Sequence, residues 1–358
     1  MSLRSIIDKN RRRIFLVTYY FLISLTFCYI YHQKLSNHAD FYSYNSPAGI
    51  YPVTEFKALT VLQYRLLVPF TFKAIWFVTR LPDKAVYFIL AVAKTLIIIF
   101  IFYRLLNEIF DDRIKNAVIA PIIAYPMAWN YIILNQQIFF VDYSNLLFIL
   151  LAYLLILRNN NKLLLVTFFF ACLNHDSSGF IPLMYLFYNY KKIFTKPVML
   201  NLFLLGLMYV GIKLILSQIF INNEGPAFRW NYVRNFNYEE YIPIHRIVRN
   251  IFLIYGGLHI FIALGLRNPV WKRISKQLIA INLVFFPYVI IIFLIHSIEE
   301  IRNYIASIPF IIIPFLIYVS SIEGNFLKLK VKTSLPEGIS ASQRPEGVED
   351  RHAGRPAS

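Results

Sequence analysis

The sequence predicts an all-helical, polytopic membrane protein, and three observations carry that prediction. Apolar runs of about 15–22 residues recur along the chain, the length needed to span a hydrocarbon core roughly 30 Å thick. Lys and Arg gather in the short gaps between them, as the positive-inside rule expects. Of the 358 residues, 58% are hydrophobic, 17% aromatic and 15% charged, a balance foreign to soluble domains. The runs are continuous and do not alternate with polar residues, which argues against a closed β-barrel. A net charge of +17 follows from basic residues in the gaps, so no nucleic-acid partner is expected. Cys28 and Cys172 sit in separate apolar segments and support neither a disulfide framework nor a zinc site.

Residues 1–13 are short and basic, ending in Arg11, Arg12 and Arg13, and precede an apolar run at 14–31. They read as a retained signal anchor with its N-terminus in the cytoplasm. Residues 32–60 then form a polar, aromatic loop on the outer face. The stretch 61–81 is long enough to cross, yet Arg65, Pro69, Lys73 and Arg80 punctuate it. If it crosses, the basic gaps 105–116 and 158–162 fall outside. If it lies in the interface or re-enters, they fall inside, as the charge rule prefers, and that topology is adopted.

On that basis 85–103 runs inward, 117–134 outward and 143–157 inward. Segments 163–173 and 180–190 are each short and flank the polar knot Asn174-His175-Asp176-Ser177-Ser178-Gly179, which fits a cavity entering the membrane from outside. A single long span through the knot is the rival reading. Segment 202–220 returns outward, 221–249 is a second large outer loop, and 251–266 runs inward to Arg267, Lys272, Arg273 and Lys276. Segments 278–295 and 305–319 complete about ten crossings plus one interfacial or re-entrant segment. Residues 1–333 form one transmembrane domain. Residues 334–358 are rich in Pro, Gly, Glu and Ser and predict a disordered tail.

One stretch, 296–309, sets His296, Glu299, Glu300 and Arg302 between two nearly pure hydrocarbon runs. Charge is costly in lipid, so such a cluster marks an interface or a wet cavity. Under the adopted topology Asp40, Asp142, the 174–178 knot and the 296–302 cluster emerge on one face. Each has a plainer role available: Asp40 as a solvated loop residue, Asp142 as a cap of the helix that follows, and His175 with Asp176 as helix-end caps. Glu299, Glu300 and Arg302 could form a salt bridge at a helix start.

Four short motifs resemble the GT-C class of polytopic glycosyltransferases: Asp40-Phe-Tyr-Ser-Tyr, Gln63-Tyr-Arg-Leu-Leu-Val-Pro69, Leu173-Asn-His-Asp-Ser-Ser178, and Glu300-Ile-Arg-Asn-Tyr-Ile-Ala-Ser-Ile-Pro309. The resemblance implies transfer of a sugar from a polyprenyl-phosphate donor to a glycan, lipid or protein acceptor on the outer face. A bacterial inner membrane and cell-envelope polysaccharide are the setting it implies. By position, Asp40 would serve as base or orienter for the acceptor, with Asp176 and Glu300 as further catalytic carboxylates. The chain lacks the adjacent Asp-Glu pair of better-known members in its first loop, which leaves the identity of the base open.

Such a reaction needs a carboxylate near the acceptor and cations near the leaving phosphate. Arg302 suits the phosphate because its planar fork matches phosphate oxygens, with Arg65, Arg229, His175 and His296 as further substrate ligands. A divalent cation could take oxygen ligands from Asp40, Asp142, Asp176 and Glu300, though no spacing demands it. A transporter or flippase for a lipid-linked or anionic solute is the rival function, since ionisable residues and broken helices suit transport equally. A non-catalytic scaffold of an envelope complex is a third.

Overall fold

The structure of the protein, a computed structural model, describes residues 3–35, 50–133, 140–224, 244–296, 300–322 and 327–329. Residues 334–358, and with them the expected tail, lie outside the described residues. Every regular element described is helical, and one isolated bridge pairs Phe110 with Leu329. Among the described residues, six helices are long and apolar enough to cross a bilayer: Arg13–Gln33, Asp83–Ile109, Arg113–Ile133, Lys196–Ile219, Lys276–Ile295 and Arg302–Ile322. The chain is an integral membrane protein of several apolar helices.

The other four expected crossings are built from shorter pieces. Segment 143–157 lies in α8 (Phe140–Leu157), and 163–173 and 180–190 become α9 (Asn161–Cys172) and α10 (Phe180–Tyr188), which stop on either side of the knot. Segment 251–266 is broken because Gly256 and Gly257 take left-handed φ of 60° and 78°. A Cβ on Gly256 would stand 2.4 Å from the Trp129 ring, so both conformation and space demand glycine there. Helix starts follow the local sequence. Asp112 accepts from the Ile114 and Lys115 N–H groups at 3.0 Å, and Asn160 caps α9 through the Leu163 N–H at 3.2 Å.

Side-chain contacts give the direction of each helix. α1 (Leu3–Leu35) runs antiparallel to α5 (Asp83–Ile109), since Cys28 meets Thr95 at 3.5 Å and His32 faces Phe88 with ring centroids 5.7 Å apart. α8 runs parallel to α5, because Lys94 donates to Ser144 at 2.6 Å and Arg158 pairs with Glu108 at 2.8 Å. At 1.5 Å per residue, the first turn of α8 therefore lies about 10–15 Å below the level where α5 begins. The three-residue turn 158–160 folds α9 back along α8 and returns the chain to the level of Asp142.

Two ends of the bundle are distinguishable. At one, the Thr60 N–H donates to the Glu224 carbonyl at 2.9 Å and Tyr51 O–H donates to Asp83 at 2.5 Å. At the other, the Asp111 N–H donates to the Lys328 carbonyl at 2.9 Å. Residues 61–81 link the level of the knot to the first end. α4 (Leu67–Thr79) starts where the Leu67 N–H meets the Leu173 carbonyl at 3.1 Å and finishes four residues before Asp83. The core between the ends is aromatic, with Tyr20, Phe72, Phe102, Tyr131, Tyr143 and Tyr288 fully enclosed. α11 (Lys196–Ile219) instead exposes Phe203, Leu207, Val210 and Leu214 along its length, as a lipid-facing helix does.

Candidate functional site

The hairpin of α8 and α9 builds the site. Asp142, in the first turn of α8, and His175, three residues beyond α9, meet because the two helices are antiparallel, and the Asn174 amide locks the junction by donating to the Val141 carbonyl at 2.9 Å. Asp142 and His175 are each 3% exposed, and His175 Nε2 stands 3.4 Å from Asp142 Oδ1. The opposite imidazole nitrogen is accounted for: Nδ1 accepts from the Ser177 N–H at 3.1 Å and lies 2.7 Å from Ser177 Oγ. Ser177 Oγ in turn accepts from the Asn145 amide at 2.5 Å. With Nδ1 as acceptor, a neutral imidazole carries its hydrogen on Nε2, which stands near Asp142 without making a hydrogen bond to it.

The second wall is the 3-10 segment Ile301–Ser307, which precedes the helix Ile308–Ile322. Tyr288 O–H donates to the Asn303 carbonyl at 2.8 Å, and Tyr255 and Ser307 hydroxyls meet at 2.5 Å, so the segment is pinned to its neighbours. Arg302 Nε lies 3.6 Å from Asp142 Oδ2, and its Nη2 lies 3.6 Å from Glu300 Oε2. Asn303 donates to the same Glu300 oxygen at 2.9 Å. Asp142 is thus faced by His175 on one oxygen and Arg302 on the other.

A third set closes on the knot from α11. Lys213 Nζ is 2.6 Å from Asp176 Oδ1 and donates to the Cys172 carbonyl at 3.3 Å, while Tyr209 O–H donates to the Asp176 carbonyl at 3.0 Å. Ile219, the end of α11, is six residues beyond Lys213, which sets Asp176 about 9 Å below that end. The Arg65 guanidinium is within electrostatic reach of Asp142, His175, Asp176 and His296. Its Nε is buried with no hydrogen-bond partner, and among the described residues no carboxylate oxygen lies within 4 Å of it. His296 faces His175 with ring centroids 6.5 Å apart. Burial first, and then the neighbouring His175 and the Arg65 guanidinium, push the His296 imidazole down to about 4, so it is neutral at pH 7.

Six residues expected from the sequence therefore share one cluster: Arg65, His175, Asp176, His296, Glu300 and Arg302. Asp40 and Arg229 lie outside the described residues. The expectation that Asp142 caps its own helix is corrected. Neither carboxylate oxygen takes a hydrogen bond among the described residues, and both face side chains from other elements. His175 does cap, through Nδ1, and still presents Nε2 to Asp142. The Glu300–Arg302 pair exists, but Arg302 reaches past it to Asp142.

Sequence reasoning missed Lys213 and Asn145. A Lys deep inside a 24-residue apolar helix, seventeen residues from its start, was the available signal for the first, since an intramembrane charge needs a partner. No comparable signal existed for Asn145. Among the described residues, no three His, Cys, Asp or Glu side chains converge as a metal-binding group; Asp142 and Asp176 are each faced by a cation. Neither a family model, nor a curated protein, nor a solved structure matches this chain.

Proposed function

We propose that the cluster is the active site of a membrane glycosyltransferase that moves a sugar from a polyprenyl-phosphate donor to an acceptor hydroxyl at the outer face. The observation that carries this reading is Arg65, whose Nε is buried with no hydrogen-bond partner and which has no carboxylate oxygen within 4 Å among the described residues, in electrostatic reach of Asp142 and Asp176, with the Arg302 fork on Asp142. An arginine with a spare buried donor in that position suits a phosphate dianion. Carboxylates beside it suit the other half of the reaction.

In the proposed step the acceptor oxygen bonds to the sugar's anomeric carbon as the bond from that carbon to the phosphate oxygen breaks. The acceptor proton passes to a carboxylate, and the polyprenyl phosphate leaves against Arg65 and Arg302. His175 is poorly suited as the base, since Nδ1 already accepts from Ser177 and a neutral ring then carries its hydrogen on Nε2. Asp142, 3% exposed, suits positioning of Arg302 rather than contact with an acceptor. Asp176 and Glu300, whose side chains are 39% and 45% exposed, are open to one. A role for Asp40 as base rests on the resemblance of its motif.

The test is transfer of labelled sugar from a polyprenyl-phosphate donor by the purified protein in liposomes. Transfer that is lost in Glu300→Gln or Asp176→Asn and weakened in Arg302→Lys supports the reading. Uptake of a labelled solute with no covalent product would replace it with transport. Labelling of cysteines placed at His175 and Arg302 from the outside tests the orientation.

A further inference from the structure

Helix α4 carries cations that the polar cluster does not use. Lys73, Trp76, Phe77 and Arg80 recur at spacings of three, four and seven and so share one helix face, while Val68, Pro69 and Phe72 are buried toward the bundle. Lys73 Nζ sits 4.2 Å from the Tyr51 ring centroid and 5.8 Å from that of Trp76. The Arg80 guanidinium lies 5.3 Å from the Trp76 ring and 4.6 Å from Phe77. Asp83, the acid of the next turn, receives the Tyr51 hydroxyl at 2.5 Å, and among the described residues no carboxylate oxygen comes within 4 Å of either cation. An aromatic face attracts a cation through its quadrupole and leaves the full charge in place.

The same helix shows strongly apolar surface: Phe77 is 65% and Val78 80% exposed. Its C-terminus is fixed, because the Arg80 N–H closes on the Trp76 carbonyl at 2.8 Å. The C-terminus of α4 stands four residues before Asp83, at the bundle end where α5 begins. Exposed Phe and Val beside Trp, Tyr and two unneutralised cations at a bundle end is the composition that sits where acyl chains meet headgroups. We propose that this face of α4 is a docking surface for the phosphate headgroups of anionic phospholipids. Phe77 and Val78 enter the acyl region, and Lys73 and Arg80 hold the phosphates. The surface stands whether or not the polar cluster transfers sugars.

The test uses the full-length protein in neutral detergent, titrated with short-chain phosphatidylglycerol, with short-chain phosphatidylcholine, and with inorganic phosphate. The expected result is preferential binding of phosphatidylglycerol. Arg80→Gln should weaken it about fivefold, the equivalent of about 1 kcal/mol per cation near an anionic surface, and adding Lys73→Gln should bring the loss to about 25-fold. Arg80 is exposed, so the single variant keeps the test valid if the double variant does not fold. Equal affinity for the two lipids, or unchanged phosphatidylglycerol affinity in a folded Arg80→Gln protein, would overturn the proposal. Competition by inorganic phosphate as effective as the lipid would also overturn it, showing a simple anion site.

Discussion

Asp142→Asn removes one charge from the centre of the cluster at almost constant shape. Asp142 is 3% exposed and stands 3.4 Å from His175 Nε2 and 3.6 Å from Arg302 Nε, so the variant leaves Arg302 without its buried counter-charge. Breaking a fully buried pair in this way costs about 3–5 kcal/mol. Two features lower that figure here. Arg302 is 21% exposed, and it keeps Glu300 at 3.6 Å. Both contacts to Asp142 are also longer than the roughly 2.7–2.9 Å of a strong charged hydrogen bond. A loss of about 2–3 kcal/mol is expected, or a fall of roughly 4–8 °C in apparent melting temperature for a chain of this size. Intrinsic-fluorescence melting of the detergent-solubilised protein measures it, run as a cycle with Arg302→Gln and the double variant. The double variant should lose less than the sum of the singles by about 1 kcal/mol or more. Strict additivity, or an Asp142→Asn protein as stable as the parent, would refute the pairing.

Lys213→Met deletes the 2.6 Å pair with Asp176, whose carboxylate is 39% exposed and retains some water, so a loss of about 1–2 kcal/mol is expected. Adding Asp176→Asn should recover part of it, and melting of the two variants decides the matter. Gly265→Ala places a Cβ 2.5 Å from the Tyr318 ring and should cost about 2 kcal/mol or more, whereas Gly206→Ala meets nothing within 4 Å and should be neutral or up to about 1 kcal/mol stabilising. Equal melting of these two variants would contradict the packing. Burial pushes the His296 imidazole from its ordinary 6.5 down to about 4, so its contribution is complete above pH 6.5 and is lost as the pH falls toward 4. His296→Gln should therefore flatten the decline in melting temperature between pH 6.5 and 4, and an unaltered slope would show that His296 is not buried in neutral form.

The class of fold was legible because lipid leaves the backbone no partner but itself, so uninterrupted apolar runs can only be helices. The runs at 14–31, 85–103, 117–134, 202–220, 278–295 and 305–319 each correspond to a helix long enough to cross. The run at 251–266 did not, because Gly256 and Gly257 are apolar-neutral in composition yet adopt left-handed backbone. Site residues were legible for the same reason as the helices: His175, Asp176, His296, Glu300, Arg302 and Arg65 interrupt hydrocarbon at a cost that must be offset. Asp142 was misread because a carboxylate in a first helical turn is chemically indistinguishable, in sequence, from a cap.

By itself, then, the sequence determined the helical membrane class and which polar residues had to find company. The tertiary structure alone decided the company. Asp142, His175 and Arg302 are separated by 33 and 127 residues along the chain, and only the antiparallel return of α9 and the pinned 301–307 segment bring them to 3.4 and 3.6 Å. Pairing of buried charges depends on distance through a medium of low dielectric, and distance between remote residues is set by how helices pack.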